Sequence, residues 1–192
     1  MPIHSRRERE REQRRQLILD TARELAETRG WDAVTTRLLS ERIEYSQPVL
    51  YSHFSGIGAI IQAVALEGFA ELANSLRASV AEASDPVSAF AAIARDYLNF
   101  ADQHPAVYSA MFGMPTDLEF ASKDSPEPLR AGFMAIQNAL AEATGNRDLE
   151  TRTELAWSAL HGLATLSAAH RLRPDRASER LNLLVDQFLA VT

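Results

Sequence analysis

The spacing of apolar residues along this 192-residue chain constrains its fold more than any other feature. From Leu17 onward, large apolar residues and alanines recur every three or four positions, which places them on one face of a helix. They do not alternate with polar residues as in a half-buried strand, and no Asn-Gly or Asp-Gly pair marks a hairpin. The hydrophobic fraction of 46% is enough to build one large domain or two small ones. The pattern predicts an all-α protein of about nine helices.

Three short helices are predicted before residue 56. The first begins near Leu17 and stops at Gly30, a residue type that commonly follows the last turn of a helix. Thr35 is placed to cap the second helix, because its hydroxyl oxygen can accept a hydrogen bond from a free backbone N–H. The third covers residues 47–54, with Pro48 in the first turn, where its missing N–H costs nothing. Residues 31–54 therefore have the dimensions of a helix-turn-helix.

Six further helices are predicted in the rest of the chain. Their ends coincide with proline, glycine and polar pairs, such as Ser84-Asp85 ahead of Pro86. The stretch 115–128 contains three prolines and many polar residues and is predicted to be a loop. The predicted helices span residues 57–83, 86–103, 104–113, 129–143, 150–172 and 177–191.

Charge is distributed unevenly along the chain. The net charge is −6, but residues 1–54 carry ten arginines against nine acidic residues, whereas residues 55–192 carry ten basic against seventeen acidic residues. Residues 6–15 contain no apolar side chain and are predicted to be solvated, as a frayed helix or a disordered arm. The alternative is an arm whose arginines reach DNA phosphates or a minor groove; these arginines are Arg6, Arg7, Arg9, Arg14 and Arg15. We predict an arm at 1–13, a helix-turn-helix domain at 14–56 and a helical domain at 57–192.

Within residues 14–66 the chain resembles the DNA-binding domain of the TetR family of bacterial transcriptional regulators. The resemblance is carried by Gly30-Trp31, Thr35-Thr36, Leu39, Ile43, Ser46, Leu50-Tyr51, His53 and Phe54. It implies that the second and third helices contact double-stranded operator DNA. The candidate DNA-binding residues are Thr35, Thr36, Arg37, Ser46, Gln47, Pro48, Val49, Tyr51, Ser52 and His53.

The chemistry of these side chains suits that role. Gln47 can both donate to and accept from a base edge, and Val49 can touch a thymine methyl group. Tyr51 and His53 can donate to phosphate oxygens, although caps and packed side chains explain the same residue types. The sequence also departs from the family. A lysine that relatives usually carry after the phenylalanine is absent from Ser55-Gly56-Ile57-Gly58, and Pro48 stands where a small residue is common.

The C-terminal part contains side chains that could line a pocket for a small-molecule effector. Packing in a core is the competing explanation for most of them. Trp157-Ser158-Ala159-Leu160-His161-Gly162 resembles the Trp-His-Gly signature of one group of TetR-family C-terminal domains. The candidate ligand-binding residues are Phe100, His104, Tyr108, Met111, Phe112, Phe133, Gln137, Trp157 and His161.

The resemblance implies a homodimer formed through the last two helices and a repressor released by an effector of unknown identity. No metal site, cofactor or catalytic residue is predicted, since the chain has no cysteine, no Gly-rich phosphate loop and no His-Glu-x-x-His. Neither a secretory leader nor a membrane span is expected, so the predicted location is the cytoplasm. A small helical enzyme or ligand-binding protein without a DNA role, and a DNA-binding protein without an effector, are the alternatives.

Overall fold

A computed structural model describes residues 3–115, 118, 125–145 and 147–190 of the chain. The described residues form nine α-helices and two short 3-10 turns and contain no strand, which confirms the all-α prediction. The helices are α1 (Ile3–Arg29), α2 (Thr36–Arg42), α3 (Gln47–Tyr51), α4 (Ile57–Ala81), α5 (Pro86–Gln103), α6 (Pro105–Phe112), α7 (Glu127–Thr144), α8 (Leu149–Ala168) and α9 (Ala177–Leu189). The 3-10 turns are Trp31–Ala33 and Pro174–Arg176.

The chain divides into two compact units. The first comprises Met1–Gly68 and Ala106–Leu118, and the second comprises Phe69–Pro105 and Glu119–Thr192. By length and composition α4 could cross a membrane, but half of its most apolar stretch is buried, as in the core helix of a soluble protein. This helix is therefore weak evidence for a membrane span.

The first unit is built around the apolar faces of its helices. Ile18 of α1, Leu39 of α2, Leu50 of α3 and Ile60 of α4 are all fully buried. Burying such side chains is the main favourable contribution to folding. Thr35 caps α2 as predicted, because its hydroxyl oxygen accepts a hydrogen bond from the Leu38 N–H at 3.1 Å.

Helix α6 is held against the end of α1 in the same unit. The Glu27 carboxylate accepts hydrogen bonds from the backbone N–H groups of Ala106 and Val107, at 3.0 and 3.2 Å. The Trp31 indole N–H donates to the Ala106 carbonyl at 2.8 Å. The two bonds to Glu27 satisfy N–H groups in the first turn of α6, which have no partner within that helix.

The second unit packs α5 against α7, α8 and α9. Phe90 and Tyr97 of α5, Ile136 of α7 and Leu160 of α8 are almost completely buried. Asp85 and Ser88 form a capping box at the start of α5, in which each side chain accepts from the other residue's backbone N–H. The predicted capping position ahead of Pro86 is confirmed.

Three helix boundaries differ from the sequence prediction by three or more residues. Helix α3 ends at Tyr51 rather than at 54, where the His53 N–H donates to the Leu50 carbonyl only three residues earlier. The charged segment 6–15 belongs to α1, which begins at Ile3, and ion pairs one turn apart, such as Arg6 with Glu10 at 2.9 Å, support it. Helix α8 ends at Ala168 rather than at 172, because His170 adopts a left-handed conformation with φ of 54°. Part of the predicted loop, residues 116–117 and 119–124, lies outside the described residues.

Candidate nucleic-acid interface

Helices α2 and α3 form the predicted helix-turn-helix. Between them, Glu44 takes a left-handed conformation with φ of 58°, and the Tyr45 N–H donates to the Ser40 carbonyl at 3.1 Å. Leu39 and Leu50 are fully buried and face the interior of the unit. The turn thus fixes α3 with one apolar side inward and its remaining side chains directed to solvent.

The solvent side of α3 carries most of the predicted DNA-binding residues. Gln47 is exposed, and the Tyr51 side chain retains 51% of its accessible surface. Ser46, Pro48 and Ser52 are also exposed, whereas Val49 and His53 are half-buried. The Ser52 hydroxyl donates to the Val49 carbonyl at 2.6 Å.

The predicted residues at the start of α2 have local roles in the free protein. Thr35 is exposed but uses its hydroxyl oxygen as the helix cap, and Thr36 is half-buried. Arg37 is exposed and donates to Glu41 at 2.8 Å, and this hydrogen bond raises the pKa of the Arg37 guanidinium. A phosphate contact from Arg37 would replace this surface ion pair, which contributes little to stability.

A group of arginines on α1 lies beside the end of α3. The Arg15 guanidinium carbon lies 5.4 Å from the centre of the Phe54 ring, within the range of a cation–π contact. Arg11 and Arg14 act electrostatically on His53 together with Arg15. Arg11 was not among the predicted residues. If the segment is taken as helical, Arg11 lies three and four residues before Arg14 and Arg15 and so shares their side of the helix. This spacing would have identified it.

The candidate ligand-binding residues fall into both units. Tyr108, Met111 and Phe112 belong to the first unit, where the rings of Tyr108 and Phe112 are 4.8 Å apart. Phe100, Tyr108 and Met111 are buried. The other six are half-buried: His104, Phe112, Phe133, Gln137, Trp157 and His161.

Within the second unit, the structure brings Phe133 and Trp157 together. Their ring centres are 6.3 Å apart in an edge-to-face arrangement, and the Trp157 N–H donates to the Tyr97 hydroxyl at 3.1 Å. Tyr97 was not predicted, because a tyrosine in an apolar helix face does not signal a polar partner. His161 lies one turn from Trp157 on α8, and burial lowers the pKa of its imidazole.

Two surface clefts of the second unit are lined by other side chains. One, of about 460 Å³, lies between the end of α4 and α5 and includes Asp96 and Asn99. The other, of about 650 Å³, lies beside α8 and α9 and includes Arg152 and Phe188. None of the nine candidate ligand-binding residues lines either cleft, so their pocket role stays a prediction. Among the described residues, no group of three His, Asp or Glu side chains is arranged to hold a metal ion.

Comparison with known proteins decides the family. Residues 18–64 match the model of bacterial regulatory proteins of the tetR family, and residues 90–188 match a tetracyclin repressor-like C-terminal domain. The HTH-type transcriptional regulator YobS of Bacillus subtilis is 32% identical over 182 residues, which cover 91% of this chain and 90% of YobS. The chain belongs to the TetR family.

Solved structures agree with this assignment. A protein of unknown function from Rhodococcus sp. RHA1 is 26% identical, with a TM-score of 0.75 over 91% of this chain and 93% of its own. RolR, solved in complex with the ligand resorcinol, shares the fold with a TM-score of 0.65 at 17% identity, over 96% of this chain and 91% of its own.

As a member of the TetR family, the chain is a DNA-binding transcriptional regulator. Regulators of this family bind operator DNA and small-molecule effectors and are usually dimeric. The N-terminal match runs from Ile18 in α1 to Val64 in α4 and so includes the helix-turn-helix formed by α2 and α3. The C-terminal match runs from Phe90 to Phe188 and includes Trp157 and His161.

Proposed function

We propose that this TetR-family regulator is a repressor that reads operator DNA with α3 and is released when a small-molecule effector binds its C-terminal half. The observation that carries the proposal is the exposed side of α3, where Gln47 and Tyr51 project from a helix anchored by the buried Leu50. A short helix held in this way matches the recognition helix of a helix-turn-helix, which enters the major groove.

The side chains of α3, and His53 just after it, have distinct roles in the proposal. Gln47 reads a base edge, because its amide both donates and accepts hydrogen bonds. Val49 contacts a thymine methyl group, while Tyr51 and His53 donate to phosphates on either side of the groove. Thr36 and Arg37 of α2 contact the backbone, with Arg37 leaving Glu41 for a phosphate. Base contacts give selectivity, and phosphate contacts set orientation.

The proposed homodimer forms through α8 and α9. Leu155, Ala159, Gly162 and Leu166 are spaced by four, three and four residues and therefore share one face of α8. Leu155 is 58% exposed, and Leu183 of α9 is 68% exposed. Large exposed apolar side chains on neighbouring helices mark an interaction surface. The small residues between the leucines would allow close helix approach, and a two-fold dimer suits a two-fold operator.

The proposed effector site lies in the second unit. RolR holds resorcinol in its solved structure, and the shared fold supports a small-molecule site in this chain. Phe133, Gln137, Trp157 and His161 combine apolar and hydrogen-bonding groups on α7 and α8, as effector pockets require. The effector would act by binding one conformation of the dimer more tightly than the other. We expect the protein to act in the cytoplasm, on DNA, and not as an enzyme.

The test is binding to the DNA upstream of the protein's own gene, followed by fluorescence anisotropy at several salt concentrations. We expect selective, salt-sensitive binding that weakens at least about tenfold in a Gln47→Ala, Tyr51→Ala double variant, since one lost base contact costs about 1–3 kcal/mol. Asn138→Ala, an exposed change on α7, is the matched control and should bind like the wild type. Absence of selective binding to this DNA and to genomic fragments would favour a small helical enzyme instead.

A further inference from the structure

The first helix carries a cationic face that ends beside α3. Arg14 and Arg15 follow Arg11 by three and four residues, so the three arginines share one side of α1. One helical turn further along, this side contains Ile18, which is fully buried in the first unit. Because Ile18 fixes the rotation of α1, the three arginines are held on the side that faces the end of α3. The position of Arg15 over the Phe54 ring shows the same orientation.

Among the residues that the structure describes, two of these cations form no ion pair. Arg15 pairs with Glu12 at 3.5 Å. Arg11 and Arg14 are exposed and form no ion pair with any residue of the part of the chain that the structure describes. Ser55-Gly56, which immediately precedes α4, adds no charged side chain. An uncompensated pair of arginines next to a DNA-reading helix is suited to an anionic partner.

His53 completes the cluster. It follows α3 directly and is half-buried, and the charged groups that act on it are all on α1: Arg11, Glu12, Arg14 and Arg15. Burial lowers the pKa of the His53 imidazole first, and the three arginines lower it further, while Glu12 opposes them. In the free protein these surroundings therefore favour the neutral form of the His53 imidazole.

We propose that Arg11, Arg14 and His53 form a phosphate-binding cluster beside the recognition helix, and that His53 takes up a proton from solvent when a DNA phosphate enters it. This proposal rests on the proposed function, because the phosphate belongs to the DNA that α3 reads. A phosphate between these groups neutralises the arginines that disfavour a charged imidazole. The phosphate also accepts a hydrogen bond from the imidazolium, and this bond is stronger than one from a neutral imidazole.

Two measurable consequences separate this cluster from a merely solvated charged helix. Phosphate contacts are independent of base sequence, so the cluster strengthens binding to any duplex. Each lost phosphate contact lowers the slope of log affinity against log salt by about 0.9. Proton uptake makes binding tighter as the pH falls, by at most about tenfold per pH unit for each protomer bound.

The experiment measures affinity for two fluorescein-labelled duplexes of equal length, one from upstream of the gene and one of random sequence. Salt is titrated at pH 7, and pH is varied from 8 to 6 at constant ionic strength. The variants are Arg11→Gln with Arg14→Gln, and His53→Gln, each checked for folding by circular dichroism. A double change of two exposed arginines of the second unit, Arg130→Gln with Arg171→Gln, is the control for net charge.

We expect the Arg11, Arg14 variant to lose affinity for both duplexes and to lower the salt slope by about one to two, while the control keeps the wild-type slope. The wild type should bind at least about threefold more tightly at pH 6 than at pH 8, and His53→Gln should abolish most of this change. An unchanged salt slope, or a pH dependence that persists in His53→Gln, would overturn the proposal. If the wild type binds neither the upstream duplex nor genomic fragments better than the random duplex, the proposed function itself fails.

Discussion

Replacing Glu27 tests how firmly α6 is held in the first unit. In Glu27→Ala the backbone N–H groups of Ala106 and Val107 lose a charged acceptor, and each such bond contributes about 1.5–3 kcal/mol. Glu27 is half-buried, so water partly replaces the carboxylate, and we expect a total loss of about 2–3 kcal/mol. With a urea slope of about 2 kcal/mol/M, the unfolding midpoint falls by about 1–1.5 M. Glu27→Gln, which keeps one oxygen acceptor, should lose about half as much.

The assay is urea unfolding followed by tryptophan fluorescence. The chain has two tryptophans, and Trp157→Phe leaves Trp31, whose indole bonds the Ala106 carbonyl, as the reporter of this site. Glu24→Ala is the matched control on the same helix, because the Glu24 carboxylate forms an exposed ion pair with Arg42 at 2.9 Å. The control should change stability by less than about 0.5 kcal/mol. Equal midpoints for the Glu27 and Glu24 variants would refute the role assigned to Glu27.

Four other substitutions follow from the packing and the caps. Gly68→Ala should cost about 1–2 kcal/mol by thermal unfolding, because its Cβ would lie 2.5 Å from Val107, whereas Gly132→Ala, in open space, should gain up to about 1 kcal/mol. Ser40→Ala should raise stability by about 0.5–1 kcal/mol, since the buried hydroxyl has no partner among the described residues; a loss would contradict this. The backbone N–H of Ser88 lowers the pKa of Asp85, so the cap stabilises fully above about pH 4 and is lost as the pH falls through the lower folded-state pKa. Unfolding midpoints measured between pH 7 and 3 should therefore fall less steeply in Asp85→Asn.

Local patterns were sufficient to predict most of the fold. Thr35 and the Ser84-Asp85 pair mark helix starts through the hydrogen bonds that their side chains form with the backbone, and both caps are present. The end of α8 was missed because the left-handed residue after it is His170, whereas glycine is the residue type that usually marks such a position. The start of α1 was missed because a segment without apolar residues carries no periodic signal, although pairs such as Arg6 with Glu10 support a helix there.

The candidate site was only partly predictable, because its geometry depends on contacts between distant residues. The resemblance identified Gln47 and Tyr51, and the structure leaves both exposed. Arg11 could be identified only from the structure. Helix α1 begins before the predicted start and includes Arg11, whose charge acts on His53. Likewise, the bond from Trp157 to Tyr97 joins residues sixty positions apart, and no pattern within one helix contains it.

Selection of binding sites from a pool of randomised duplexes shows whether α3 reads DNA sequence. We expect the wild type to enrich a two-fold symmetric sequence whose half-sites are about one helical turn of DNA apart. We also expect Gln47→Ala to relax the preference at one position in each half-site while the remaining positions are retained. A pool that shows no enriched sequence after selection with the wild-type protein would contradict the assignment of α3 as a helix that reads DNA.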